Sequence, residues 1–324
     1  MSLPQADARP ALAGTYLRML GATSIWAVTF HVGYYASHHA DPLGVAFLRF
    51  LFAGLTLAGI ALLRGQSLRI TRAQLPLVFS LAIPGVVAYT LCFLAAVQTI
   101  SGSRAALISA GSPVVVELAS ILLLGTAASA MRWSGIVLAL AGTVVVLTRG
   151  NLHDVVGSVG RGELYALGCM LAWSAHVFMS RRISQVGLNA LVATTWSVLI
   201  GAGLLVLPLL LSGQPGRVLH YPAGVWLAVL HMAWLATALS FNWFADGVRA
   251  VGPTRASVFT NLVPVVAVLV GVLALGERLH WSMAVGGALA VGGVWMANRK
   301  PAATARHPRY ALSRGRRSCD GSAC

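Results

Sequence analysis

The sequence predicts an all-α integral membrane protein, with ten transmembrane helices arranged as two inverted-topology five-helix repeats. Three observations carry that expectation. The chain is too apolar to face water, it divides into ten apolar blocks of bilayer-crossing length, and residue patterns in its first half recur in its second at a nearly constant spacing.

Polarity comes first. Of 324 residues, 57% are hydrophobic and 10% charged, and the mean hydropathy is +0.79. Soluble domains carry about 25% charge, so the polar skin a water-soluble fold needs is missing. The 34 glycines agree, because Gly is more frequent in membrane helices than in soluble ones. The net charge of +15 does not imply a nucleic-acid partner. Such a partner needs basic residues gathered on one folded face, whereas here they lie between apolar blocks and in the tails, as membrane topology requires.

A helix needs about 20 mostly apolar residues to cross the hydrocarbon core, where only internally bonded backbones are tolerated. The blocks run 15–36, 43–63, 74–97, 104–125, 131–149, 162–181, 189–211, 223–246, 254–275 and 281–298. Turn and charge signals such as Asp41-Pro42, Ser101-Gly102-Ser103 and Gly252-Pro253 separate them. The domain reading follows. Residues 1–14 form an N-terminal segment, 15–149 the first repeat, 150–161 a connecting loop, 162–298 the second repeat, and 299–324 a basic, disordered tail. With both termini in the cytoplasm, only Arg104, Arg149, Arg161, Arg217 and Arg278 fall in outer loops, and Arg49 lies inside a span. The other basic residues are inside, as the positive-inside rule asks. The expected location is the cytoplasmic (inner) membrane, with a small molecule and the lipid bilayer as partners, protons as a further candidate, and a monomer or homodimer as the assembly.

The repeat is read from residues. Gly21 to Trp26 matches Gly168 to Trp173 at an offset of 147. Arg104-Ala105 and Pro113 match Arg255-Ala256 and Pro264 at 151, and so do Leu124-Gly125 with Leu275-Gly276, Gly135 with Gly286, and Gly142 with Gly293. An odd number of spans per half forces the halves into opposite orientations, a plan recurrent in secondary transporters with a site between the repeats.

These residues resemble the drug/metabolite transporter superfamily, specifically its ten-span group with two EamA domains. The second half carries the fuller pattern, Arg255-Ala256-Ser257, Pro264, Leu275-Gly276-Glu277 and the glycines of the last span; the first half carries Trp26, Pro42, Arg49, Arg104-Ala105 and Pro113. It departs at Leu124-Gly125-Thr126, where the family usually shows a glutamate, at Trp196, which stands in register with Arg49, and at Val268, the repeat mate of Glu117. The resemblance implies export of an amino acid, amine, nucleoside or similar metabolite.

Among candidate functional residues, Arg49 and Glu117 are the charged groups well inside spans, and such residues are costly enough to be functional candidates by default. Glu117, if desolvated, would protonate near neutral pH, making the two a coupling pair; the plainer reading is structural ion pairing. An aromatic with a polar neighbour suits a cavity for a small amphipathic substrate. Trp26 and Phe30 share one helix face, and Trp173 and His176 another. Tyr89, Phe93, Asn242 and Asn261 lie at plausible midplane depth, with interhelical hydrogen bonding the plainer role for the two Asn. His31 and His231 also fall in spans, where a histidine bonded to a backbone carbonyl is the commoner outcome. Pro113 and Pro264 recur in register and are expected to kink their helices. Glu277 is expected to be a cap or ion pair. Trp133, Trp226, Trp243, Trp281 and Trp295 near span ends read as interfacial anchors.

The site is expected between spans 1, 3 and 4 of one half and 6, 8 and 9 of the other. No Walker-type loop, His-Glu-x-x-His or Gly-x-Ser-x-Gly occurs, so no cofactor, metal or enzyme activity is expected. Cys92 and Cys169 read as small hydrophobes, and Cys319 and Cys324 belong to the tail. A membrane enzyme, a lipid flippase and a channel are the alternatives of other classes.

Overall fold

The computed structural model describes residues 8–125, 129–151, 159–213, 215–251, 256 and 259–298. Arg255, Ser257, the Gly252-Pro253 break and the tail from Arg299 lie outside the described residues.

Among those residues the chain is helical and has no strand. Its helices are α1 (Ala8–His39), α2 (Pro42–Leu63), α3 (Leu75–Val97), α4 (Gly102–Leu124), α5 (Ala130–Leu147), α6 (Arg161–Ser180), α7 (Ala190–Leu211), α8 (Ala223–Val251), α9 (Leu262–Leu275) and α10 (Trp281–Asn298). Six of them, α2, α3, α4, α5, α7 and α8, are long and apolar enough to cross a membrane, and α9 and α10 are shorter apolar helices. The outward leucines, among them Leu63, Leu122, Leu211 and Leu273, are exposed as a lipid-facing surface requires. The protein is a multi-pass membrane protein.

Helix ends follow local chemistry. Asp41 caps α2 by accepting from the Gly44 N–H at 2.9 Å, and Pro42 occupies the first turn, where its missing N–H costs nothing. Ser101, Ser129 and Asn189 cap α4, α5 and α7 in the same way. Gly125 and Gly276 close α4 and α9 in the left-handed region, with φ of 64° and 67°. The recurring Leu-Gly pair therefore marks two equivalent helix stops that a side chain would strain.

Two departures from regular helix matter for the site. In α3 the stretch Ile83–Ala88 widens to a π-helix, and in α8 the stretch His231–Leu239 does the same. Pro84 removes a donor in the first of these. In the second, the hydroxyls of Thr237 and Ser240 reach back five residues to the carbonyls of Met232 and Leu235. Helix α4 is broken at Ala110–Gly111, and a turn at Asn261 separates α9 from the helical residues 259–260 before it; Pro113 and Pro264 fall in the first turn of the helix that follows. There the ring does not obstruct an established turn, so the bend sits before each proline. Helix α1 starts at Ala8, seven residues before the apolar block, with Arg9 and Pro10 in its first turn.

The pairings are orderly. Helix α5 packs on α10, α2 on α7 and α4 on α9; α3 packs on α6 as α8 packs on α1, and α6 packs on α4 as α1 packs on α9. The α5–α10 seam is built by small residues. A Cβ on Gly142 would lie 2.3 Å from the Ala290 nitrogen, and one on Gly293 2.3 Å from the Ala139 nitrogen. The backbones touch, and close approach of this kind drives helix association where lipid removes the hydrophobic incentive. The four glycines matched in the sequence, Gly135, Gly142, Gly286 and Gly293, meet here.

One ion cluster ties three helix ends together. Glu163 accepts from Arg104 at 3.0 Å and from Arg149 at 3.2 Å, while its other oxygen accepts from the Gly160 N–H. Arg104 also donates to the carbonyls of Val146 and Leu147.

Candidate functional site

A cavity of about 50 Å³ lies between five helices. Helix α2 contributes Arg49 and Phe50, α3 contributes Gly85, Val86 and Tyr89, and α6 contributes Trp173 and His176. Helix α7 adds Thr194, Ser197 and Val198, and α8 adds Thr237 and Phe241. This space has room for a few waters. The walls come from α2, α3, α6, α7 and α8, which corrects the expectation that α1, α4 and α9 would line it. The α1 side chains are held one layer back by their own contacts.

Those contacts form a continuous aromatic chain. Phe30 meets Phe93 edge-on with centroids 5.5 Å apart, Phe93 stacks on Tyr89 at 6.0 Å, and Tyr89 packs on Trp173 at 5.3 Å. Trp173 stacks on His176 at 5.3 Å and meets Phe241 at 6.1 Å, and Phe241 meets Trp26 at 5.4 Å. Six residues singled out from the sequence are thus joined, with Phe241 as the link that periodicity did not reveal. Only Tyr89, Trp173 and His176 of the six reach the cavity wall.

Each of the two distorted helices spends a carbonyl on this chain, that of Ala236 inside the π turn of α8 and that of Leu81 two residues before the π turn of α3. The Trp26 indole N–H donates to Ala236 O at 2.8 Å, and His176 Nδ1 donates to Leu81 O at 3.1 Å. The first helix of each half therefore hydrogen-bonds to the distorted third helix of the other half. Since a carbonyl only accepts, His176 Nδ1 carries the proton, and the neutral ring presents Nε2 as a lone pair. Gly85 permits this approach, because a Cβ there would lie 2.0 Å from His176 Nδ1.

Arg49 is the cation of the site. It is 7% exposed, and its Nε and Nη1 have no hydrogen-bond partner among the described residues. Its guanidinium lies 5.0 Å from the Phe50 ring centroid. A desolvated cation–π contact is worth about 2 kcal/mol, whereas removing a cation from water costs several. The stack alone does not explain the burial. Arg49 and Glu117 do not meet: Glu117 pairs with Arg132 at 3.1 Å, with both side chains about a quarter exposed, and is not on the cavity wall.

The two asparagines also stand apart from the cavity. Asn242 donates to Ala238 O and accepts from Arg64 at 3.4 Å, tying the end of α2 to α8. Asn261 sits at the break preceding α9. His31 and Glu277, which sequence reasoning did not connect, form a close pair at 3.3 Å. Of the terminal tryptophans, Trp133, Trp281 and Trp295 are exposed, while Trp226 packs on Phe52 and Trp243 against Gly21.

The sequence pattern of the EamA-like transporter family matches residues 14–148 and again 160–299. The chain belongs to the EamA-like transporter family. Similar proteins include the Bacillus subtilis (strain 168) protein described as uncharacterized transporter YyaM, 26% identical over 285 residues, which cover 87% of this chain and 93% of that one. The Escherichia coli (strain K12) uncharacterized inner membrane transporter YedA is 28% identical over 256 residues, 79% of this chain and 81% of its own. An uncharacterized transporter of Archaeoglobus fulgidus is 26% identical over 289 residues, 88% of this chain and 98% of the relative. A solved crystal structure shares the EamA chain's fold with a TM-score of 0.60 at 23% identity, covering 88% of this chain and 96% of the other.

Proposed function

We propose that this EamA protein is a secondary transporter that exports a small metabolite, an amino acid, amine or similar compound, across the cytoplasmic membrane by alternating access. In this reading ten helices span the bilayer as two inverted five-helix repeats, both termini face the cytoplasm, and the protein works as a monomer or homodimer without enzymatic chemistry.

The observation that carries the reading is the aromatic cavity at the junction of the halves, combined with two equivalent distorted helices. Helices α3 and α8 carry π turns, α4 is broken just before Pro113, and a turn at Asn261 precedes α9 three residues before Pro264. Widened turns and interrupted helices mark functional sites and hinges. The helix pairings map onto one another when the halves are exchanged, as expected if the two halves trade roles between inward-open and outward-open states. Among the residues lining the cavity there is no carboxylate, which weighs against the alternative of an acid–base enzyme. For proton coupling, the His31–Glu277 pair, with its imidazole buried, is a stronger candidate than Glu117, which the partly exposed Arg132 already neutralises.

The test is uptake and counterflow in proteoliposomes, with a panel of amino acids, carboxylates and amines, with and without a pH gradient. Trp173→Ala and His176→Ala are each expected to weaken apparent substrate affinity by about tenfold, the loss of one aromatic face or one good hydrogen bond. Unchanged affinity in both variants overturns the cavity as the substrate site.

A further inference from the structure

We propose that Arg49 is the receptor for a carboxylate on the transported molecule, so that the cavity selects small carboxylates with a flat apolar body over amines of the same shape. The inference rests on the transporter reading above and narrows its substrate class.

The argument begins with an imbalance. A guanidinium offers five N–H donors in a fixed fork. At Arg49 two of the three nitrogens have no acceptor among the described residues, and no carboxylate pairs with it. Buried arginines are ordinarily paired, and the other deeply buried arginine here, Arg104, has a glutamate and two carbonyls. The contrast lies within one molecule: Arg104 has a carboxylate and two carbonyls on one terminal nitrogen and leaves Nε open, whereas Arg49, beside the cavity, pairs with no carboxylate and leaves both Nε and Nη1 open. An anion entering the cavity would supply their acceptors, and a carboxylate matches the fork with two parallel bonds.

The remaining wall fixes the rest of the ligand. Tyr89, Trp173 and Phe241 present rings, Val86 and Val198 present methyl groups, and these suit a flat or branched apolar body. Thr194, Ser197 and Thr237 offer hydroxyls that adapt as donor or acceptor. A plain amine would place a second positive charge beside Arg49 in a poorly screened site, which is unfavourable at any pose within a few ångströms. A zwitterion would satisfy Arg49 and leave its ammonium to the rings and the His176 lone pair, so it ranks between the two.

The experiment compares three ligands of nearly one shape, benzoate, benzyl alcohol and benzylamine, by equilibrium binding to the purified full-length protein in detergent. Benzoate is expected to bind at least about tenfold more tightly than either of the others. Arg49→Met is expected to lower benzoate affinity by about tenfold to a hundredfold without changing that for benzyl alcohol, and Arg49→Lys to recover part of the loss. Benzylamine binding as tightly as benzoate to the wild-type protein overturns the proposal and needs no variant, so a folding defect cannot mask that result. Benzoate affinity unchanged in Arg49→Met also overturns it, and shows an arginine hydrated by cavity waters. Counterflow that carries amines but no carboxylate sinks this inference and leaves the transporter reading standing. Benzoate binding that depends on Arg49, with no counterflow of any panel member, sinks the transporter reading and leaves the anion site.

Discussion

His31 Nδ1 lies 3.3 Å from Glu277 Oε1, and His31 Nε2 lies 2.8 Å from the carbonyl oxygen of Ala267. The carbonyl can only accept, so Nε2 bears hydrogen. A neutral ring would then turn a lone pair toward the carboxylate, and two acceptors would face each other. The contact is attractive only if one further proton resides on the pair, either on Nδ1 or on the carboxyl. This unit joins α1 to the segment following α9, with Ser103 of α4 beside it donating to the same Ala267 carbonyl.

The pair makes a pH prediction whose sign can be worked out. Burial alone would raise the Glu277 carboxyl, but the neighbouring His31 imidazole outweighs it and holds the group below its ordinary value. A depressed folded-state value means that the stabilisation is present above the unfolded value, about 4.3 for Glu, and lost as pH falls through the lower folded one. Glu277→Gln is expected to cost about 2 kcal/mol at neutral pH, since it leaves a buried imidazole without its counter-ion. Thermal unfolding in detergent across pH 3 to 7 checks it. The wild-type advantage should shrink below about pH 4.3, and an advantage that grows toward acid contradicts the assignment.

The approach of His176 to Leu81 depends on the missing side chain at Gly85. Gly85→Ala would put a methyl 2.0 Å from the imidazole and force the ring away from the carbonyl. In proteoliposomes we expect substrate affinity to fall by about tenfold, with a stability loss of about 1–3 kcal/mol from the crowding and the broken bond. Affinity equal to wild type in a folded Gly85→Ala protein would mean that the orientation of His176 is irrelevant to binding.

The α5–α10 seam makes a stability prediction with an internal control. Gly142→Leu must push apart two touching backbones and is expected to cost about 3 kcal/mol or more. Gly59→Ala in α2 meets nothing within 4 Å and should be neutral or stabilising by up to about 1 kcal/mol, through helix propensity. Melting temperatures of the two variants measured in one detergent give the comparison, and equal losses would show that the seam is not held by close backbone contact.

Much of the candidate site could be read before the fold was known. Arg49 stood out because a charge inside an apolar block is expensive, and Trp173 with His176 because three residues of spacing place two rings on one helix face. Phe241, Thr194, Ser197 and Thr237 gave no such signal. A phenylalanine or threonine in an apolar span is unremarkable, and what brings these four to the cavity is how α7 and α8 pack, together with the π turn that shifts the phase of every later residue in α8. Asn242 and Asn261 looked like cavity residues from depth alone. The first is turned toward Arg64, and the second marks a helix break.

Composition and spacing alone settled that the chain is a bundle of apolar helices in lipid, because the deficit of polar groups and the obligatory internal pairing of the backbone admit little else. They also identified residues that recur across the halves, because helix stops and close-packed seams demand glycine wherever they occur. Partnership was decided by tertiary structure. Whether a buried charge is neutralised, as Arg104 is by Glu163, or left open toward a cavity, as Arg49 is, depends on which atoms of distant helices come within about 3 Å, and no one-dimensional pattern encodes that distance.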